Sequence, residues 1–220
     1  IVRGTRRLFL VLAAGQSRRF GSDGLFATVE GGETLLAAAL RPLAPWRSDV
    51  HVMVRANAPE RWRLVEEWGA QPHLSPHADR GIGQTLSDGI ALLAGHYEAC
   101  LVCLGDMPAV RRRTFAMLWK RLHGDALIVP RRCGRWGHPV GFGQRYFPEL
   151  RRLQSDRGAR SVLEANKDRI IFVDVEDEGI AFDIDTPADL RCASRAGSNE
   201  PVGVGPAREA DRGAEIESGA

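Results

Sequence analysis

The stretch Leu12-Ala13-Ala14-Gly15-Gln16-Ser17-Arg18-Arg19-Phe20-Gly21-Ser22-Asp23-Gly24 decides the fold. It follows the apolar run Leu8-Phe9-Leu10-Val11, which has the length and side chains of a buried strand. A strand that breaks into small residues, glycine and arginine suits a loop that holds phosphate. Gly15 and Gly21 let the backbone approach a ligand. Successive N–H groups then point into one concavity. Arg18 and Arg19 add fixed charge matched to phosphate oxygens. The competing reading is an ordinary strand-to-loop turn with two solvated arginines.

Outward from that loop, strand and helix patterns alternate. Strands are expected at 7–13, 49–54, 70–74, 99–104 and 126–129, with helices at 34–44, 59–68, 82–94 and 111–123. This order predicts an α/β fold of three layers, a Rossmann-like, mostly parallel sheet with helices on both faces. After residue 130 the rhythm changes. A Gly- and Arg-rich segment at 131–143 precedes helices near 145–153 and 158–166 and a strand at 170–173. Thr186 is placed to cap a short last helix, with Pro187 in its first turn. A single domain is expected over residues 1–192, a nucleotide half to about 130 and an acceptor half beyond it, with a disordered tail at 193–220.

Composition narrows the class. The 220 residues suffice for one core, and 44% hydrophobic with 26% charged residues describes a globular protein. A net charge of +2 with 7% aromatic residues argues against a nucleic-acid partner. No apolar stretch approaches the roughly 20 residues of a membrane span, and no signal peptide is visible. Cys100 and Cys103 fall three apart on an expected strand and so face opposite sides, which disfavours a shared metal. The expectation is a reducing, cytoplasmic setting without a membrane. His73 and His77 flank prolines and read as loop residues.

Ligands of open parallel sheets sit beyond the carboxyl ends of the strands. The glycine loop leaves one such end, and Gly105-Asp106-Met107-Pro108 leaves another. Asp106 therefore stands where Mg2+ bridging phosphates would lie, unless it merely caps the next helix. Asp183 and Asp185 share a face of an extended segment and offer a second metal ligand, or only an acidic helix start.

The loop LAAGQSRRFG, the turn GDMP, the segment GHPV and the ending DIDTPADL occur in the order of nucleotidyltransferases of the molybdenum cofactor type, which this chain resembles over about 7–192. It looks most like the molybdenum cofactor cytidylyltransferases, whose loop begins LAAG where guanylyltransferases typically read LAGG. On that resemblance, Leu12, Ala13, Ala14, Gly15, Ser17, Arg18, Arg19, Gly24 and Asp106 bind CTP, with Gly81, Gly83 and Thr85 as a second nucleotide loop. Asp106, Arg19 and His138 serve catalysis, and Asp106, Asp183 and Asp185 hold Mg2+. Arg131, Arg135, Gly137 and His138 face the acceptor, molybdopterin, with a receiving molybdoenzyme as a further partner. His138 would orient the acceptor phosphate or donate a hydrogen bond, or else be structural. The Ala13-Ala14 methyls would narrow the base pocket toward a pyrimidine.

One position departs from the family pattern. Where the family places a lysine three residues after the glycine matching Gly21, this chain has Gly24. A missing preorganised charge costs roughly 100- to 1,000-fold in rate. Either Arg18, Arg19 or another arginine compensates, or the protein is slow, or it is a carrier or chaperone that binds the pterin without turnover. A separate reading keeps catalysis and changes the acceptor to another phosphorylated molecule such as a sugar phosphate, against which the GHPV and DIDTPAD motifs count.

Overall fold

The computed structural model describes residues 6–16, 23–29, 31–154 and 158–184, with Thr186 and Asp189. The expected tail at 193–220 lies outside these residues, as does Pro187. Strands β1 (Arg7–Leu12), β2 (Val50–Val54), β3 (Gln71–Leu74) and β4 (Ala99–Leu104) pair in parallel in the order β3-β2-β1-β4. Their alternation sorts the core into two layers. Phe9 and Val11 face one side, and Leu8, Leu10 and Leu12 face the other.

Helices α1 (Leu35–Leu40), α2 (Pro59–Trp68) and α4 (Arg112–Arg121) contribute to the first layer, where Phe9 stacks on Trp119 at 4.4 Å between ring centres. Helices α3 (Ile82–Leu93), α5 (Phe147–Leu150) and α6 (Arg160–Ala165) supply the second. Cys100 and Cys103 fall into opposite layers, and burial pushes the Cys100 thiol up to about 12. Most helix ends follow local chemistry. Pro59 opens α2 and Gly69, at φ 89°, closes it. α1 stops early because Pro42 begins a run of 3-10 turns that lasts to Asp49.

The departure from expectation lies past β5 (Leu127–Arg132). The Gly- and Arg-rich segment holds two strands, β6 (Arg135–Trp136) and β7 (Val140–Gly143). β7 runs antiparallel between β4 and β5, and β8 (Ile171–Asp174) pairs with β5 in parallel. β7 is short and half glycine, so neither period nor propensity marks it. Its glycines are required: a Cβ on Gly143 would come within 2.1 Å of the Gly124 carbonyl oxygen. The helix expected at 145–153 shrinks to a 3-10 turn and α5. His73 belongs to β3 rather than a loop, hydrogen-bonded to His51 at 2.8 Å.

Candidate active site

The glycine loop leaves β1 with both neighbours fixed. The Ala13 N–H donates to the Met53 carbonyl at 2.9 Å, and the Gly105 N–H donates to the Leu12 carbonyl at 3.0 Å. Leu12, Ala13 and Ala14 are buried, whereas Gly15 is exposed, and a Cβ built on it meets nothing within 4 Å. The Ala13 methyl packs so closely that a Cβ on Gly105 would lie 3.2 Å from it. Both alanine methyls are therefore covered by protein, so the expected narrowing of a base pocket does not follow from them. The side chain of Gln16 donates to Asp79 at 2.6 Å, as does Arg55, which ties the loop to the segment before α3.

Behind the loop sits Arg61, 2% exposed. Its guanidinium donates to the carbonyls of Ala13 (2.5 Å) and Gly15 (2.9 Å) and to both carboxylate oxygens of Asp23 (2.6 and 2.8 Å). Asp23 also caps a 3-10 turn, Gly24–Phe26, by accepting the Leu25 N–H at 3.1 Å. Gly24 is buried at the start of that turn and brings no charge.

The second loop runs through a 3-10 turn, Ala78–Arg80, to Gly81 at φ 105° and then into α3. Gly83 and Thr85 face inward. The Thr85 hydroxyl and N–H both donate to the Gly81 carbonyl, at 3.4 and 3.2 Å. Thr85 thus closes the helix's own first turn. Arg80 is exposed and makes no ion pair among the described residues.

Across the rim, Asp106 follows β4. The Ile184 N–H donates to the Asp106 carbonyl at 3.0 Å, which sets Asp183 beside it. His138 is clamped by its own N–H, which donates to the Ile180 carbonyl at 2.7 Å. Only glycine fits at 137, because a Cβ there would reach 2.2 Å from the Ile180 oxygen. Burial pushes the His138 pKa down, against smaller upward pulls from a hydrogen bond to the Val102 carbonyl and from Asp183. A neutral imidazole has one N–H. The Val102 carbonyl takes it, and the buried Nδ1 has no hydrogen-bond partner among the described residues.

His138 also helps wall a cavity of about 680 Å³. Leu12, Leu86, Val102, Val129 and Val140 make it strongly apolar, and Trp136, 43% exposed, also lines it. Its cations are Arg160, paired with Glu164, and Lys167. The arginines expected there are elsewhere. Arg131 is held by both oxygens of Asp174 and lies over Phe172, and Arg135 is exposed on β6.

A family model described as the MobA-like NTP transferase domain matches residues 9–170. The chain belongs to that family. It is 27% identical over 197 residues to the purine catabolism protein PucB of Bacillus subtilis, covering 84% of this chain and 94% of that one. It is 26% identical over 183 residues to the molybdenum cofactor cytidylyltransferase of Escherichia coli, covering 82% and 92%. A crystal structure of Rv0371c from Mycobacterium tuberculosis in complex with manganese superposes with a TM-score of 0.67 at 23% identity, covering 87% and 100%.

The glycine loop and Asp106 follow the carboxyl ends of β1 and β4, and Leu12 and Leu104 at those ends line the cavity. Ser17, Arg18, Arg19 and Asp185 lie outside the described residues. Sequence reasoning missed Arg61 and Lys167. A lone arginine on an amphipathic helix carries no pattern, and the partners of Arg61 are 38 to 48 positions away. Among the described residues no helix is long and apolar enough to cross a membrane.

Proposed function

We propose that this MobA-like transferase moves CMP from CTP to the terminal phosphate of molybdopterin and releases pyrophosphate. The observation that carries the reading is the opposition, across Asp106, of an anion-suited glycine loop and an apolar cavity. The loop's open side at Gly15 suits the triphosphate. The cavity suits a flat ring system, with Lys167 near enough to its wall to meet an acceptor phosphate. The LAAG segment and the Escherichia coli relative support the cytidylyl assignment, and the GHPV segment supports a molybdopterin acceptor.

Asp106 and Asp183 are hard oxygen donors on segments joined by the bond from the Ile184 N–H to the Asp106 carbonyl, and no group of three or more metal-ligating residues exists among the described ones. That donor set fits Mg2+, which takes few protein carboxylates and completes its shell with phosphate oxygens and water. When bound, the ion supplies Lewis acidity and a template for the phosphates. The chain's own part is positioning. Loop N–H groups hold the triphosphate, and the cavity orients the acceptor so that its phosphate oxygen attacks the α-phosphorus in line with the departing pyrophosphate.

Pyrophosphate release from CTP with Mg2+ and molybdopterin is the test. Turnover with CTP ahead of GTP and UTP is expected, and a preference for GTP would reassign the base. Gly24 favours a second reading, a carrier that binds the pterin without reacting. Tight binding of both ligands with no pyrophosphate released would establish it.

A further inference from the structure

Arg61 does more than fill space between the loop and α2. A trans peptide is planar, and its C=O and N–H point in opposite directions. The Ala13 and Gly15 carbonyls both point at one guanidinium. The N–H groups of Ala14 and Gln16, which belong to the same two peptide planes, therefore point away from Arg61 together. Gly15 itself is exposed, and a Cβ built on it meets nothing within 4 Å. Backbone N–H groups turned to one side of a loop can line an anion-binding concavity. The same guanidinium holds Asp23, where the chain returns from the loop, so one buried group fixes both ends of residues 13–23.

We infer that Arg61 is the positioning residue of the nucleotide loop, pinning the Ala13 and Gly15 carbonyls on its own side so that the loop backbone turns its N–H face toward the triphosphate. This rests on the nucleotide reading above. Arg61 does not supply the charge missing at Gly24, because Asp23 neutralises it. Its cost is the burial of a cation, offset by four hydrogen bonds, two of them charge-assisted on both sides.

The test compares Arg61→Met, Arg61→Lys and Asp23→Asn with the parent protein. Affinity for inorganic tripolyphosphate is measured by calorimetry, KM is measured separately for CTP and for the acceptor, and folding is checked by thermal melting. Arg61→Met should weaken tripolyphosphate and raise the CTP KM by about tenfold or more while the acceptor KM stays within about twofold. Arg61→Lys should fall between, since it keeps the charge but loses the fork. Asp23→Asn, which keeps the bonds to both carbonyls, should show the smallest change. A folded Arg61→Met protein that binds tripolyphosphate like the parent overturns the inference. Should that variant not fold, an unchanged CTP KM in both Arg61→Lys and Asp23→Asn overturns it. If the parent binds neither tripolyphosphate nor any nucleoside triphosphate, the nucleotide reading itself falls and takes this inference with it.

Discussion

The two sides of Asp106 are built on opposite principles. Toward β1 the surface is backbone, fixed by polar bonds from Met53, Arg61 and Asp23. Toward β7 it is side chain, an apolar hollow whose wall is held by close packing at Gly137. In the parallel half, strand carbonyls and N–H groups run out at one rim and must be answered there, which yields a loop of directed donors. In the other half an antiparallel strand comes back from that rim and lays hydrophobic side chains beneath it. A triphosphate needs the first surface, and a ring system needs the second.

Removing the residue between the two sides should hurt most. Asp106→Asn is expected to lower kcat by about 100- to 1,000-fold with both KM values little changed. A loss confined to one KM would assign Asp106 to that side alone and break the comparison. The next effect tests the polar side. Gly24→Lys should raise kcat by roughly 10- to 100-fold if the missing cation limits the rate. Steady-state pyrophosphate release would check it, and an unchanged rate would show that another group already supplies the charge.

The two sides also differed in how far the sequence revealed them. The parallel half was legible, because β1 and β4 carry long apolar runs, β2 is apolar but for His51, and the glycine loop follows one of them. Asp106 was legible for the same reason, standing at the end of the most apolar strand. The antiparallel half was not. Val140-Gly141-Phe142-Gly143 is too short and too glycine-rich to show a strand period, and only its neighbours β4 and β5 make it one. Arg131 was read as a phosphate ligand because nothing in its own vicinity reveals Asp174, 43 residues on. Arg61 escaped for the same reason of distance, although its surroundings make it the most constrained arginine of the described chain.

A smaller effect sharpens the apolar side. Trp136 lines the cavity while nearly half exposed, with its ring centre 5.2 Å from that of Phe172. Trp136→Ala should raise the acceptor KM by about five- to tenfold through lost ring contact and leave the CTP KM unchanged. Isothermal titration with each ligand separately would check this. Equal loss for both ligands would mean that the cavity and the loop form one surface rather than two.

The smallest effect comes from β2, which supports the polar side only. His51 is buried between His73 and the Tyr97 hydroxyl, with Arg6 nearby. Its pKa falls to about 4, first through burial and then through the charges of His73 and Arg6. Between pH 6.5 and 4 the unfolded chain therefore holds a proton on His51 that the folded chain refuses. Stability falls as pH drops through that window, by about 1 kcal/mol between pH 7 and 5.5, and His73, also shifted down by burial, adds to the loss. His51 stands two residues before Met53, whose carbonyl anchors Ala13 at the root of the glycine loop. Acid should accordingly loosen β2 and the loop before it reaches β5 and β7. Hydrogen exchange at pH 5.5 would show amides of β2 and β3 losing protection first, and His51→Gln should flatten the pH dependence of the urea midpoint. Uniform loss across both halves would mean that the sheet answers protonation as one body, whatever the difference between its two rims.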